Sequence, residues 1–598
     1  MHLPKRPGRV VRTAGQGAAT SAVLPRAPTP VSPAEAALSG LWSVDPLRNP
    51  PDLGLIRQLG AGRCIRLGLL PWRQVGAATV VLADGAGQLR RHAALLAETY
   101  GPVRLAHAPL SVMQSAIIAT AGADLAHEAE SLVPAAQSCR AARPRLARRL
   151  AFGLIMAVAL GAATAPAALF ALLAIWAATS IGLNTLLKLA ALWAALARPA
   201  DAGPVAAAPV PARLPVVSIL IPLYREKEIA AALVSRLALI DYPAELLDVC
   251  LILEEDDATT RAALASASLP PGFQVIEVPA GRIRTKPRAL NIALNFARGS
   301  IIGIYDAEDA PAPDQIRKVV QRFAERGPDV ACLQGVLDYY NTDSNWMSRC
   351  FTLEYAAWFR VMLPGLARLG LVLPLGGTTL FLRRPAIEAV CGWDAHNVTE
   401  DADLGVRLAR AGYRTEMIDT VTMEEANARP WPWVKQRSRW IKGYALTWAV
   451  HMRDPAQLWR DLGPLRFFAL QLQLLGAISQ FTMAPLLWAF WWATLATPTT
   501  VAGLIGPGAM LAIFALCVVA EAVNLAMAVI GARRSGRFWL VLWAPVLKLY
   551  YPLATLAAWK ALAETVTRPY YWDKTTHGVF RPSVTPPVRP AARPAAAV

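Results

Sequence analysis

The chain has 598 residues, room for three or four domains, with 60 basic against 42 acidic side chains and a net charge of +18. That surplus suits anionic lipid and anionic substrates, and the many long apolar runs favour the bilayer over nucleic acid as its partner. The cysteines (Cys64, Cys139, Cys250, Cys332, Cys350, Cys391 and Cys517) form no C-x-x-C pair and no metal-ligand spacing, a scattered usage that fits a reducing cytosol.

Residues 1–40 are rich in Arg, Pro, Ala and Ser, with no acidic residue before Glu35. They read as a disordered basic leader, because a signal peptide needs a continuous apolar stretch. Residues 41–135 carry a small α/β pattern. The run from Ile65 to Trp72 leads into a strand at Ala78–Ala83, and helices are predicted near 87–100 and 109–120. Arg140, Arg143, Arg145, Arg148 and Arg149 then precede an apolar region over 150–197, broken only by Pro166 and Lys188. Its length predicts two helices of about 20 residues crossing a bilayer, with the basic flank cytoplasmic.

After a Pro/Ala linker at 199–215, residues 216–455 alternate strands and helices, which implies a doubly wound, mostly parallel α/β sheet. Strands are predicted at 216–222, 249–253, 273–279 and 300–305. The first runs into Tyr224-Arg225-Glu226 and the second into Glu254 to Asp257. The fourth ends in Tyr305-Asp306-Ala307-Glu308-Asp309, which puts carboxylates at the carboxyl edge of the sheet, where such folds bind ligands. Asp306 and Glu308 are two apart, so both can reach one hard cation, Mg²⁺ or Mn²⁺, that neutralises a departing diphosphate. A solvated acidic turn would show the same residues. Further on stand a Gly376-Gly377-Thr378-Thr379 turn, the triplet Thr399-Glu400-Asp401, and Gln436-Arg437-Ser438-Arg439-Trp440. Gln436, Arg439 and Trp440 share one helix face, where Arg can hold a diphosphate bidentately and an indole can stack on a sugar ring.

Three more apolar regions follow, at about 466–496, 501–531 and 538–562. The basic link Arg533 to Arg537 is predicted cytoplasmic. A third clean span would put the tail, 563–598, on the opposite side. Pro545, Lys548 and Pro552 interrupt that region, so a broken or re-entrant segment is expected, or an interfacial start at 466–496.

The order and setting of these marks resemble the processive family 2 glycosyltransferases, the cellulose, hyaluronan and related polysaccharide synthases. The resemblance implies a GT-A-type domain embedded in a helical transmembrane bundle, in the bacterial inner membrane with the catalytic domain cytoplasmic. The bound partners it implies are a UDP-sugar, a growing polysaccharide and the lipid bilayer. It makes Asp401 the general base; Asp403, two residues on, has a plain role at the N-terminus of the helix that follows. Asp306 and Glu308 become metal ligands, although the family usually has Asp where Glu308 stands. Glu226, Asp256 (or Asp257), Lys286 and Arg439 become donor contacts, and Gly377, Thr378, Gln436 and Trp440 acceptor contacts. The Q-x-x-R-W segment favours processive synthesis over single transfer to a polyprenyl phosphate. The run Leu67 to Gly85 is similar to the N-terminal domain of type II secretion ATPases, some of which bind cyclic di-GMP. A plain protein-docking domain fits that stretch equally, and a non-catalytic membrane receptor or secretion scaffold is the reading from a different class.

Overall fold

The computed structural model describes residues 42–571, apart from 143, 198–212, 227–228, 497–502 and 504–505. The expected leader, the linker up to residue 212 and the tail from Trp572 onward lie outside the described residues. The chain divides into two compact units, one of residues 1–60 and 67–120, the other of 61–66 and 121–598.

The first unit holds a sheet of four strands, β1 (Trp42–Ser43), β2 (Leu69–Val75), β3 (Ala78–Ala83) and β4 (Val103–His107), in the order β1-β4-β3-β2. β3 runs antiparallel to β2 and parallel to β4. Leu69, Val81, Ala83 and Leu96 form its core. Only β3 was predicted as a strand. In β2 just the first three residues are buried, and Trp72 to Val75 turn progressively to solvent, so its apolar pattern is half a strand long.

The second unit is built on eight strands: β5 (Val217–Leu223), β6 (Leu247–Glu254), β7 (Phe273–Val278), β8 (Ile301–Ile304), β9 (Ala310–Pro311), β10 (Val330–Tyr339), β11 (Leu380–Arg383) and β12 (Arg414–Glu424). Their order is β7-β6-β5-β8-β11-β10-β12-β9. β7, β6, β5 and β8 are mutually parallel, as are β10 and β12, while β11 and β9 run antiparallel to their neighbours. This is the mostly parallel α/β sheet expected from the alternation of elements. β6 and β10 are buried along their whole length, which accounts for the apolar run Val249–Leu253 in β6, whereas β10 also buries Gln334 and Asp338.

The helices that matter here are α1 (Pro144–Thr164), α2 (Pro166–Leu196), α3 (Lys286–Ala293), α4 (Trp346–Ala357), α5 (Glu400–Arg410), α6 (Pro430–His451), α7 (Pro455–Gln471), α8 (Ala477–Ala496), α9 (Pro507–Arg534) and α10 (Pro552–Thr567). Among the described residues, four segments are long and apolar enough to cross a membrane: Arg145–Thr164, Pro166–Leu196, Pro455–Trp492 and Pro507–Arg534. Leu150, Phe152, Leu154 and Ile155 are each about two-thirds exposed, an apolar surface that suits a lipid environment. The chain is a membrane protein. The third apolar region after the sheet is broken into a 3₁₀ turn (Phe538–Trp543), a short helix (Leu547–Tyr550) and α10. Ala554, Ala557, Ala558 and Ala561 line one face of α10, and these small side chains let it pack closely on Trp433, Val434 and Ile441 of α6.

Candidate active site

The turn after β8 is set by its last acid. Asp309 is fully buried, and its carboxylate accepts from the Asp306 amide at 2.9 Å and from the Thr378 hydroxyl. The clamp turns Asp306 and Glu308 toward a cavity of about 1470 Å³. Lys286, at the start of α3, donates to Asp306 Oδ1 at 2.5 Å and to the Gly377 carbonyl at 2.8 Å. A Cβ on Gly377 would lie 3.3 Å from Asp401 Oδ2 and 3.8 Å from Lys286 Nζ, so the turn passes between base candidate and cation. Thr379, buried in the same turn, holds φ at +54°, a conformation β-branched residues rarely adopt. Its amide donates to the Ile304 carbonyl at 2.9 Å, which ties the turn to the end of β8.

Thr399-Glu400-Asp401 forms the first turn of α5. Gly443 of α6 lies so close that a Cβ there would be 2.0 Å from Thr399 Oγ1, so α6 backs directly onto the triplet. Burial, then the charge of Glu400, pushes the Asp401 carboxyl up to about 7, against the lowering effects of the Ala402 amide and Lys286. Glu400 is itself raised by burial. Burial would lower the Lys286 ammonium, but Asp306, Glu400 and Asp401 together hold it above its ordinary value. Asp403 is occupied elsewhere. It is fully buried, accepts from Arg407 Nε at 2.7 Å and lies 3.0 Å from His451 Nε2. Burial would raise it, but the Arg407 guanidinium and the hydrogen bond with His451 hold it below the ordinary carboxylate range.

On α6, Gln436, Arg439 and Trp440 all line the cavity. Gln436 Oε1 accepts from Asn427 Nδ2 at 2.8 Å. Arg437 is held in the helix packing. It donates to Glu354 Oε2 at 2.6 Å, and the same oxygen accepts from Tyr550 at 2.8 Å. Its guanidinium lies 4.8 Å from the ring centres of both Trp433 and Trp440. Tyr355 and Phe351 flank Trp440 at 6.2 and 6.3 Å, so the indole is braced from behind by aromatics and a cation.

At the end of β5 and β6, Tyr224, Glu226, Glu254 and Arg284 line the cavity, whereas Asp256 does not. The Asp256 carboxylate instead pairs with Arg284 at 3.0 Å, and Arg284 also donates to the Tyr224 hydroxyl at 2.9 Å. Asp257 is structural. It caps a short helix and accepts from the Arg225 amide and the Thr260 hydroxyl, both at 2.6 Å. Sequence reasoning passed over Arg284, Glu254 and Glu424. Glu424 stands at the end of β12, and the rule that placed Asp306 at a strand end applies to it equally.

Carboxylates crowd this edge. Glu424 is pushed well up by burial and by Asp309, Glu308 and Asp306, and Asp309 by burial, Asp306 and Glu308. Asp309 Oδ1 is buried and has no hydrogen-bond partner among the described residues. Lys286 is the cation paired with this crowd of acids, and carboxylates gathered at one edge fit a divalent cation. Among the described residues no group of three or more His, Cys, Asp or Glu could hold an ion by itself. One or two carboxylates completed by substrate phosphates is the donor set Mg²⁺ ordinarily takes.

The cavity continues between the apolar helices, past Asn184 and Lys188 of α2, Gln473, Gln480 of α8, and Glu521 and Asn524 of α9. Lys188 donates to Asn524 Oδ1 at 2.9 Å. Gln473 is buried, and neither its amide oxygen nor its nitrogen has a partner among the described residues.

Residues 215–443 match the family described as Glycosyltransferase like family 2. That stretch, less than half of the chain, is similar to the family 2 glycosyltransferases. It is 29% identical over 284 residues to a beta-monoglucosyldiacylglycerol synthase of Synechocystis sp., an alignment covering 45% of this chain and 55% of that one. It is 24% identical over 263 residues to a probable glucomannan 4-beta-mannosyltransferase of Arabidopsis thaliana, covering 42% and 47%. The chain thus spans about half the length of the curated relatives it matches. Among solved structures, a mannosyltransferase from Pyrobaculum calidifontis in complex with GDP-Man and Mn2+ is similar at 21% identity and a TM-score of 0.42, covering 63% of this chain and 99% of that one.

Proposed function

We propose that this protein is an inverting glycosyltransferase that extends a β-linked polysaccharide from a UDP-hexose and exports it through a channel between its own helices, seated in a bacterial inner membrane with its catalytic domain cytoplasmic. One observation carries the reading. A single cavity joins the strand-end carboxylates to polar side chains lying between the membrane helices. A polyhydroxylated chain needs such a lining, because a polar group in hydrocarbon without a partner is costly.

In this mechanism Asp401 takes the proton from the acceptor hydroxyl while its oxygen attacks the anomeric carbon opposite the leaving nucleoside diphosphate. A carboxyl pushed up to about 7 is matched to that task at neutral pH. Lys286 and Arg439 hold the diphosphate, and Glu226 and Asp256 the nucleoside, Asp256 through Arg284. Asp306 and Glu308 would hold Mg²⁺ or Mn²⁺, which supplies charge neutralisation at the departing diphosphate. Gly377, Thr378, Gln436 and Trp440 receive the acceptor sugar, with the braced indole as its platform. The first unit is a docking module for a protein or cyclic di-GMP. Membranes holding the protein, offered radiolabelled UDP-glucose, UDP-N-acetylglucosamine and UDP-galactose in turn, test the reading. Incorporation from one of them supports it, and incorporation from none refutes the donor class.

A second reading has its own support. The Synechocystis relative is named for glucosylation of a diacylglycerol, and single transfer to a lipid would use the same carboxylates. Labelled product that partitions wholly into organic solvent would favour it.

A further inference from the structure

Ahead of the family-matched region, residues 121–141 pack against two loops that carry site residues. Glu130 is buried there, and its Oε1 accepts from the backbone amides of Arg282 at 2.7 Å and Ile283 at 3.2 Å. The loop it holds has no regular structure, so its amides depend on side chains for partners. Glu255 takes the Ala280 amide at 2.9 Å, and Arg288 reaches back to the Pro279 carbonyl at 2.9 Å and forward to Glu254 at 2.5 Å. At Gly281 a Cβ would lie 2.4 Å from Glu130 Oε1, so the carboxylate sits directly against the backbone. Arg284 and Lys286 follow immediately.

We propose that Glu130 is a positioning residue for the nucleotide-sugar site, fixing the loop of residues 280–285 so that Arg284 and Lys286 are already aimed into the cavity before the donor arrives. The inference rests on the donor site proposed above. Two charge-assisted bonds from one carboxylate fix the path of the loop more firmly than neutral acceptors would. Glu130 is itself held in place. Asn291 donates to the neighbouring Ala129 carbonyl at 3.0 Å and to the Trp393 carbonyl at 2.8 Å. A few residues on, Ser138 Oγ and the Cys139 amide donate to Asp394 at 2.7 and 2.6 Å. A segment more than 70 residues before the first strand of the catalytic sheet thus frames the donor side of the site. The gain is preorganisation: a loop already ordered does not spend binding energy on ordering itself.

The test is calorimetric titration of the purified full chain with UDP plus Mn²⁺ and GDP plus Mn²⁺, beside hydrogen exchange of the peptide covering residues 280–285. Lys286→Ala in the parent background checks the donor site itself. Glu130→Ala is expected to weaken the preferred nucleotide about tenfold and to speed exchange in that peptide, with the melting temperature little changed. Glu130→Gln keeps an acceptor oxygen and is expected to stay within about threefold of the parent, so the idea survives should the alanine variant misfold. If the parent binds neither nucleotide, the donor reading and this inference fall together. If the parent binds and Lys286→Ala does not, while Glu130→Ala binds as tightly as the parent, the positioning role alone is refuted. Equal losses in the alanine and glutamine variants, with a matching fall in melting temperature, would also overturn it, because a general brace of the fold behaves that way.

Discussion

Replacing Asp401 by Asn separates the base from every other property of the site. The carboxyl is pushed from 3.8 to about 7 by burial and by Glu400. At pH 7 roughly half of the molecules therefore carry a competent base, at pH 8 about nine-tenths, and below about pH 6 the rate should fall close to tenfold per unit. The amide keeps the shape and abolishes that ionisation. Turnover should drop by about 10² to 10⁴, and the acidic limb of the pH profile should disappear with it. Stability moves the opposite way. A carboxyl whose folded value is raised above its unfolded one contributes stability that is full below the unfolded value and is lost as pH rises through the folded one. At pH 8 the parent thus bears an ionisation cost on the order of a few kcal/mol that Asp401→Asn removes. The variant should melt higher than the parent at pH 8 and much closer to it at pH 4. The assay is nucleoside-diphosphate release across pH 5–9, with melting curves on the same preparations. A variant that turns over at near the parental rate with the limb intact refutes the assignment. Asp403 would not inherit the role, since Arg407 and His451 already occupy it.

Three other substitutions probe the scaffold. Gly443→Ala places a methyl 2.0 Å from Thr399 Oγ1, so α6 must shift; a loss of about 1 to 3 kcal/mol in stability and a fall in turnover are expected, checked by melting and product release. Glu354→Leu strips Arg437 of its carboxylate at 2.6 Å in a buried setting, which should cost about 3 to 5 kcal/mol and lower the melting temperature. Trp440→Ala removes the acceptor platform, a contact worth about 1 kcal/mol, and should shorten the product while donor hydrolysis continues; parallel loss of polymer, hydrolysis and folded yield would make the indole purely structural.

Legibility in the sequence followed the range of the forces involved. β5, β6 and β8 were readable because parallel strands buried on both faces need continuous apolar runs, and the carboxylates at their ends could be placed by the same rule. β10 and β12 went unread because polar residues interrupt their apolar pattern, Gln334 and Asp338 in one and Arg414, Glu416 and Asp419 in the other, and Glu424 went with them. The split of Asp256 from Asp257 was not visible in the E-E-D-D run. It depends on which carboxylate meets the Arg225 amide and the Thr260 hydroxyl, partners 32 and 3 residues away. Glu130 was beyond reach for the same reason, lying 152 residues from the amide it holds. The helical membrane segments were legible from length and composition. The interruption near Pro545 was signalled by the prolines, while the packing of α10 on α6 needed the coordinates.

The most direct measurement of the central claim uses purified protein in sealed lipid vesicles, with labelled UDP-hexose and Mg²⁺ or Mn²⁺ supplied only outside. The account predicts a labelled polymer that resists an added glycanase until detergent opens the vesicles, and that is absent with Asp401→Asn. Label found only as a single sugar on lipid, or polymer wholly open to the glycanase in intact vesicles, would contradict it.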